Sequence, residues 1–189
     1  RLDSRSELQD AALEVGLLLS ALTIPMSLAA IPGGWLSDQV GYGKAIAVGL
    51  ALSIVGFLSI WFTWNIDIST GVIALEMAIV GIGIGLTFSP ISTAVINSAR
   101  DEERGVASAL VIILRLVGMT ISVSSLTTIA LQRINYLASL QLREIAFNSD
   151  AYLEIYSHIT VDVLAELGLL GAIVCGIALI PAWLMNDSD

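Results

Sequence analysis

This sequence holds one histidine, one cysteine and only eight basic residues. Each scarcity removes a class of chemistry. A lone Cys175 leaves no intrachain disulfide and no zinc framework. His158 is the sole imidazole and lies outside the apolar runs, which removes multi-histidine metal sites and Ser-His-Asp chemistry within the spans, and its place beside the start of the last run reads as interfacial. Lys and Arg number 8 against 17 Asp and Glu, for a net charge of −9, so the chain offers no basic surface to nucleic acid. Gly81-x-Gly83-x-Gly85 precedes no Gly-Lys-Ser/Thr and follows no strand pattern, which argues against a phosphate-binding loop. No catalytic constellation, metal cluster or cofactor motif emerges, and the chain does not read as an enzyme.

Charge of either sign is scarce too: 13% of residues are charged, about half the share of a soluble domain. In its place stands 56% hydrophobic composition and a mean hydropathy of +0.87. A helix needs roughly 20 mostly apolar residues to cross a hydrocarbon core of ~30 Å. Five windows qualify, about 11–31, 45–64, 71–96, 105–131 and 162–185, which predicts one all-α polytopic membrane bundle over 1–189. Glycine and proline inside the windows are compatible with helix, because neighbouring helices re-satisfy freed backbone groups in lipid. The connection from Gln132 to His158 carries Tyr136, Leu137, Leu140, Leu142, Ile145 and Phe147 among charges, so an extension of span four, a surface-lying helix and a plain loop all fit it. Arg1 stands where a methionine would open a chain, and Met185–Asp189 forms a short polar tail after a last span. The expectation is a piece of a longer protein that includes its natural carboxyl terminus.

In lipid, small and polar residues mark the faces that helices turn to one another or to water. Span one carries Gly16, Ser20, Thr23 and Ser27 on one stripe, with Pro25 expected to bend it. Span three has a Gly81-x-x-x-Gly85 pair for close packing, while Glu76, Gly83, Thr87 and Pro90 fall on roughly the opposite side. Span four places Ser108, Arg115 and Ser122 seven residues apart on one line, with Gly118 and Ser125 nearby. An arginine in mid-membrane costs at least ~2.5 kcal/mol on insertion scales, so Arg115 should face protein, water or an anionic group. Hydroxyls in membrane helices also bond their own backbone, a packing role open to every serine and threonine named here. Glu14, Asp162 and Glu166 lie near span ends as interfacial carboxylates, and spans two and five are the poorest in polar groups and suited to lipid.

The most informative segment joins spans one and two: Gly33-Gly34-Trp35-Leu36-Ser37-Asp38-Gln39-Val40-Gly41-Tyr42-Gly43-Lys44. A carboxylate, turn-permitting glycines and a lysine in so short a link predict a tight, polar, structured hairpin. Its letters, G-x-L-x-D-x-x-G with a lysine beyond, resemble the signature loop of the major facilitator superfamily of secondary transporters. Gly34, Leu36, Asp38 and Gly41 match, Lys44 is displaced, and Gln39 and Tyr42 stand where the family usually has basic residues. Arg104-Gly105-Val106-Ala107-Ser108-Ala109-Leu110, followed by Leu114-Arg115-Leu116-Val117-Gly118, resembles the penultimate span of the fourteen-span drug:proton antiporter branch. Gly81–Leu86 with Pro90 resembles the span before it.

The resemblance covers nearly the whole chain and implies the last five transmembrane helices of that fold, with an amino-terminal half missing. Spans one, three and four would line a central cavity, the division already reached from polarity. It implies alternating access, a small-molecule substrate, proton-coupled efflux of drug-like or amphipathic solutes, and no cofactor beyond a proton gradient. The expected location is the lipid bilayer of the cell (plasma or inner) membrane with a cytoplasmic carboxyl terminus. That orientation rests on the loop, because Lys44, Arg100 and Arg104 on one side against Arg1, Arg5, Arg133 and Arg143 on the other do not decide it by charge. Cavity or coupling candidates are Arg115, Glu76, Ser108, Ser122, Thr87, Ser20 and Thr23. Gly34, Leu36, Asp38, Gly41 and Lys44 form the candidate cytoplasmic gate, where Asp38 meets a helix amino terminus of the other half or else caps its own loop. Two other readings are an importer or facilitator of sugars, organic acids or peptides, and a five-span membrane binding or assembly protein.

Overall fold

The computed structural model describes residues 3–142 and 150–184. Five helices long and apolar enough to cross a membrane follow one another: α1 (Asp3–Val40), α2 (Tyr42–Thr63), α3 (Thr70–Ser98), α4 (Arg104–Gln141) and α5 (Asp150–Leu184). A short 3-10 turn, Asp101–Glu103, precedes α4, and no strand occurs among the described residues. The all-α membrane bundle expected from composition is the architecture found. Each helix takes up one apolar window, and α1, α4 and α5 run well past theirs. α1 continues through Pro25 and Pro32, which the backbone tolerates in lipid because neighbouring groups take over the freed carbonyls.

The connections are short. Between α2 and α3, Asn65 closes an Asx turn by accepting from the Asp67 amide at 3.1 Å, and the Ile68 amide returns to the Asn65 carbonyl at 3.1 Å. The long connection after span four is largely helix: α4 continues to Gln141 and α5 begins at Asp150, so the helical extension is the form adopted. Tyr136, Leu137 and Leu140 belong to α4, whereas Ile145, Phe147 and the polar tail Met185–Asp189 lie outside the described residues. At 1.5 Å per residue the 38 residues of α4 reach about 57 Å and the 35 of α5 about 52 Å, against about 33 Å for the 22 of α2. Only the last of these lengths matches a ~30 Å hydrocarbon core.

The chain divides into two compact units. One combines the chain up to Phe57 with Ser69–Ile91 and the stretch from Ala172; the other combines Leu58–Ile68 with Ser92–Gly171. In the first, α3 is sandwiched by glycine contacts. A Cβ on Gly81 would collide with the Leu22 carbonyl of α1 and one on Gly85 with the Met26 carbonyl, so the expected close-packing pair is real and its partner is α1. The contacts advance together along both helices, which makes α1 and α3 parallel. On its other side α3 meets α2. A Cβ on Gly83 would strike Ser53, one on Gly49 would lie 2.7 Å from the Gly83 carbonyl, and one on Gly56 would lie 2.7 Å from Val80. This is how helices associate where lipid removes the hydrophobic drive: backbones approach closely enough for dispersion to decide.

In the second unit the extension is held by side chains. Ile134 of α4 packs with Ile159 and Val163 of α5, flanked by Ala130, Leu137, Ala138 and Ile155. These residues recur at steps of three and four on each helix, the stripe an antiparallel helix pair buries.

Candidate functional site

The Asp38 segment departs from the hairpin expected of it. Gly33–Val40 continues α1, Tyr42–Lys44 opens α2, and Gly41 alone stands between, with φ +90°. Its amide donates to the Ser37 carbonyl at 3.0 Å, and its carbonyl accepts from the Ala45 amide at 3.2 Å, so one left-handed residue ends one helix and starts the next. The other glycines serve packing rather than turning. A Cβ on Gly33 would lie 2.5 Å from the Leu86 carbonyl of α3, and one on Gly34 would lie 2.8 Å from the Ser89 hydroxyl. Gly34, Leu36 and Asp38 therefore sit in the last turns of α1, and Lys44 in the first turn of α2. Asp38 is exposed, and no hydrogen bond or ion pair joins it to another described residue. The helix runs past it, so it does not cap its own loop.

The polar stripe of α1 is turned inward on its own backbone. Ser20 donates to the Gly16 carbonyl at 2.8 Å, Thr23 to Leu19 at 2.9 Å and Ser27 to Thr23 at 2.9 Å, with Thr23 and Ser27 exposed and Ser20 partly so. These hydroxyls are satisfied before any solute arrives. Thr87 lies against α2. It is 5% exposed, donates to the Ile84 carbonyl at 2.7 Å, and sets its methyl over Gly49. Gly83 and Thr87, expected on a face apart from the packing face, form a second packing face against α2. The reason is size: Gly49, Ser53 and Gly56 let α2 come as close to α3 on that side as α1 does on the other. Glu76 lies one and a half turns into α3 and is 2% exposed. A carboxyl so withdrawn from solvent is rare in any helix and costly in a membrane helix.

α4 contrasts with α3. From Arg104 to Arg133 it buries no residue. Ser108 and Arg115 are partly covered, while Ser122, Gly118 and Ser125 on the same side are exposed. Arg115 reaches across to α3, where its Nη2 donates to the Ser92 hydroxyl at 3.1 Å. Periodicity does not single out Ser92, since a serine in a membrane helix carries no signal of its own; only its distance from an intramembrane arginine marks it. A second cross-helix contact is equally silent in the sequence. Arg133 of α4 grips Glu166 of α5 with two hydrogen bonds, Nε to Oε2 at 3.0 Å and Nη2 to Oε1 at 3.2 Å. Glu166, legible only as an interfacial carboxylate, is half of a planar fork whose partner lies 33 residues away.

The described helices are thus long, apolar and packed through glycine, with Arg115 of α4 bonded to Ser92 of α3. The family model described as Major Facilitator Superfamily matches residues 4–137, from α1 through most of α4. The chain belongs to the major facilitator superfamily. Among individual relatives of this transporter family, a triacylglyceride transporter of Mycolicibacterium smegmatis is 31% identical over 137 residues, 67% of this chain and 24% of that protein. One from Mycolicibacterium hassiacum is 32% identical over 139 residues, 68% of this chain and 26% of the relative. One from Mycobacterium tuberculosis is 28% identical over 137 residues, again 67% of this chain and 26% of the relative. The chain thus spans about a quarter of the length of these relatives. As a superfamily member with five helices long and apolar enough to cross a bilayer, it is an integral membrane protein.

Proposed function

We propose that this chain is the carboxyl-terminal part of a proton-coupled exporter of amphipathic solutes, working by alternating access. The missing amino-terminal half supplies the other wall of the cavity and most of the coupling machinery. The single observation that carries the reading is Arg115: a partly covered cation inside a membrane-length helix, bonded across to Ser92, on a helix that buries no residue from Arg104 to Arg133. A charge at that depth faces protein, water or an anionic group rather than lipid. Ser108 and Ser122 extend the same line on α4, where most of the surrounding side chains are apolar. That character suits solutes with long apolar parts. Triacylglyceride, the solute in the names of the relatives, is accordingly the first candidate, and drug-like amphipaths are the second.

Glu76 is the candidate coupling carboxylate. Asp38, exposed at the end of α1 beside the single-residue turn, is the candidate gate carboxylate. It lies on the cytoplasmic face of the plasma membrane together with the carboxyl terminus, and meets a helix amino terminus of the other half in one state of the cycle.

The test is reconstitution of the complete transporter in proteoliposomes with an imposed proton gradient, using a fluorescent triacylglycerol and, separately, doxorubicin. Saturable export that collapses on adding a protonophore is expected. Movement that ignores the gradient would establish a facilitator instead, and gradient-driven movement in the opposite direction an importer.

A further inference from the structure

We propose that α1 and α3 share one joint, Pro32-Gly33-Gly34 of α1 against Leu86–Pro90 of α3, and that the ends of both helices beyond it swing together, so that the Asp38 segment and the last turns of α3 move as one. The joint stands on the packing of these two helices. Its part in a transport cycle rests on the alternating-access reading set out above.

Pro90 carries no amide hydrogen, so it cannot donate to the carbonyl of Leu86, four residues back, as a helix residue otherwise would. What faces that oxygen comes from α1. A Cβ on Gly33 would lie 2.5 Å from it, so the α-hydrogen of Gly33 that stands in the Cβ direction lies against the oxygen in a Cα–H···O contact. Such a contact is weaker than the amide bond it stands in for. The next residue repeats the arrangement, since a Cβ on Gly34 would lie 2.8 Å from the Ser89 hydroxyl.

Earlier along the same interface the parts are exchanged. There the glycines, Gly81 and Gly85, belong to α3, and the carbonyls they approach, those of Leu22 and Met26, have residues with an amide, Met26 and Ala30, four places on. α3 is also clamped there from its other side, with Gly83 against Ser53 and the Thr87 methyl over Gly49. A bend in that stretch would break contacts with two helices at once. At the level of Pro90 both partners are soft. α3 lacks one bond of its ladder, and α1 runs Pro32-Gly33-Gly34, three residues of the poorest helix propensity in succession. Kinks in long helices collect at such places, and here two of them face each other.

The segment beyond the joint on α1 is stiff. Ser37 is buried and donates to the Gly34 carbonyl at 2.7 Å, and its own carbonyl takes the Gly41 amide at 3.0 Å. Gly34–Gly41 is therefore a short arm that carries Asp38 and ends at the left-handed turn. The first compact unit likewise includes α3 only as far as Ile91, one residue after Pro90. Displacing Asp38 displaces the end of α3 through Gly33 and Leu86, with no charged group between them.

Spin labels on the complete transporter in nanodiscs test the joint. They are attached through Val55→Cys on α2, paired in turn with Val40→Cys, Val95→Cys and Ile24→Cys, in a background otherwise free of cysteine; all four sites are exposed. Val40 and Val95 lie beyond the joint and Ile24 before it. Broad or two-peaked distance distributions are expected for Val40 and Val95, and a single narrow one for Ile24. Pro90→Ala gives the Leu86 carbonyl an amide of its own helix and should narrow both broad distributions together. Pro25→Ala, the same chemical change away from the joint, should leave them broad. Pro90→Ala should also slow export of the fluorescent triacylglycerol several-fold while its equilibrium binding is unchanged. Parent distributions as narrow for Val40 and Val95 as for Ile24, narrowing of only one of the two, or equal narrowing by Pro25→Ala would overturn the joint. Narrowed distances with export at the parent rate would overturn its part in the cycle. Absence of export by the parent in proteoliposomes would count against the transport reading alone, since the distances decide the joint without it.

Discussion

Gly85 of α3 lies so close to the Met26 carbonyl of α1 that no side chain fits between the two helices, and Ala29 takes up the remaining room on that side. The same is true of Gly81 against Leu22, one turn earlier on both helices. Two glycines spaced by four thus set the distance between parallel helices, and everything attached to α1, including the exposed Asp38, inherits its position from that contact.

Gly85→Val in the complete transporter should lower the midpoint of thermal unfolding in detergent, by an amount equivalent to about 1–3 kcal/mol or more, because the obstacle is backbone rather than a movable side chain. At Gly118 on α4 no atom of a neighbouring element comes within 4 Å of where a methyl group would sit, so Gly118→Ala should leave the midpoint unchanged or slightly raised. Equal effects of the two substitutions would mean that the α1–α3 contact does not bear on stability.

Arg133 and Glu166 make a bidentate pair between α4 and α5 close to the Ile134, Ile159 and Val163 cluster. Glu166→Arg places two cations together and should increase amide hydrogen exchange in Ala130–Gln141 and in the facing turns of α5. The exchanged pair Arg133→Glu with Glu166→Arg should restore much of the protection. Because both side chains are about half exposed, the single-variant effect should shrink in high salt.

Asp38→Asn should slow turnover more than it weakens probe binding, since the carboxylate is remote from mid-membrane and would act by biasing one gate conformation. Paired measurements of transport rate and equilibrium binding of the fluorescent triacylglycerol decide this. Unchanged turnover at matched expression would reduce Asp38 to a surface residue.

Arg115→Ala should abolish or redirect transport without impairing insertion, and Arg115→Lys should recover only part of it, because an ammonium lacks the planar fork. Glu76→Gln should uncouple transport from the proton gradient, seen as export that no longer responds to a protonophore. Coupling that survives the substitution would eliminate Glu76 from the proton path.

Much of this architecture is legible from composition and periodicity because lipid allows so few solutions: twenty apolar residues must be a helix, and close glycines must be a contact. Gly81 and Gly85 are readable in that way. The Asp38 segment reads as a loop yet is mostly helix, for a physical reason. Glycine is a turn signal in water, but at Gly33 and Gly34 it serves helix contact, and only the positive φ of Gly41 needs a turn. Thr87 falls on the expected face of α3, yet no periodicity tells which of several neighbours that face will meet. Ser92 and the Arg133–Glu166 fork are illegible because cross-helix register depends on where each helix starts and on how far it overruns the membrane, and neither is written in the local sequence.

The length of α4 has a mechanical consequence. A helix is a stiff rod, and one of 38 residues uninterrupted by proline has no internal joint at which to absorb a rotation. Tilting it by about 10° around its midpoint would carry each tip roughly 5 Å sideways, given a rise of 1.5 Å per residue. Any swing that α4 makes within the bilayer is therefore magnified at its protruding end, and α5, clamped there by Ile159, Val163 and Glu166, is dragged along with it. The outer tip becomes a pointer whose displacement between two attached labels would report the state of the membrane-buried segment without touching it.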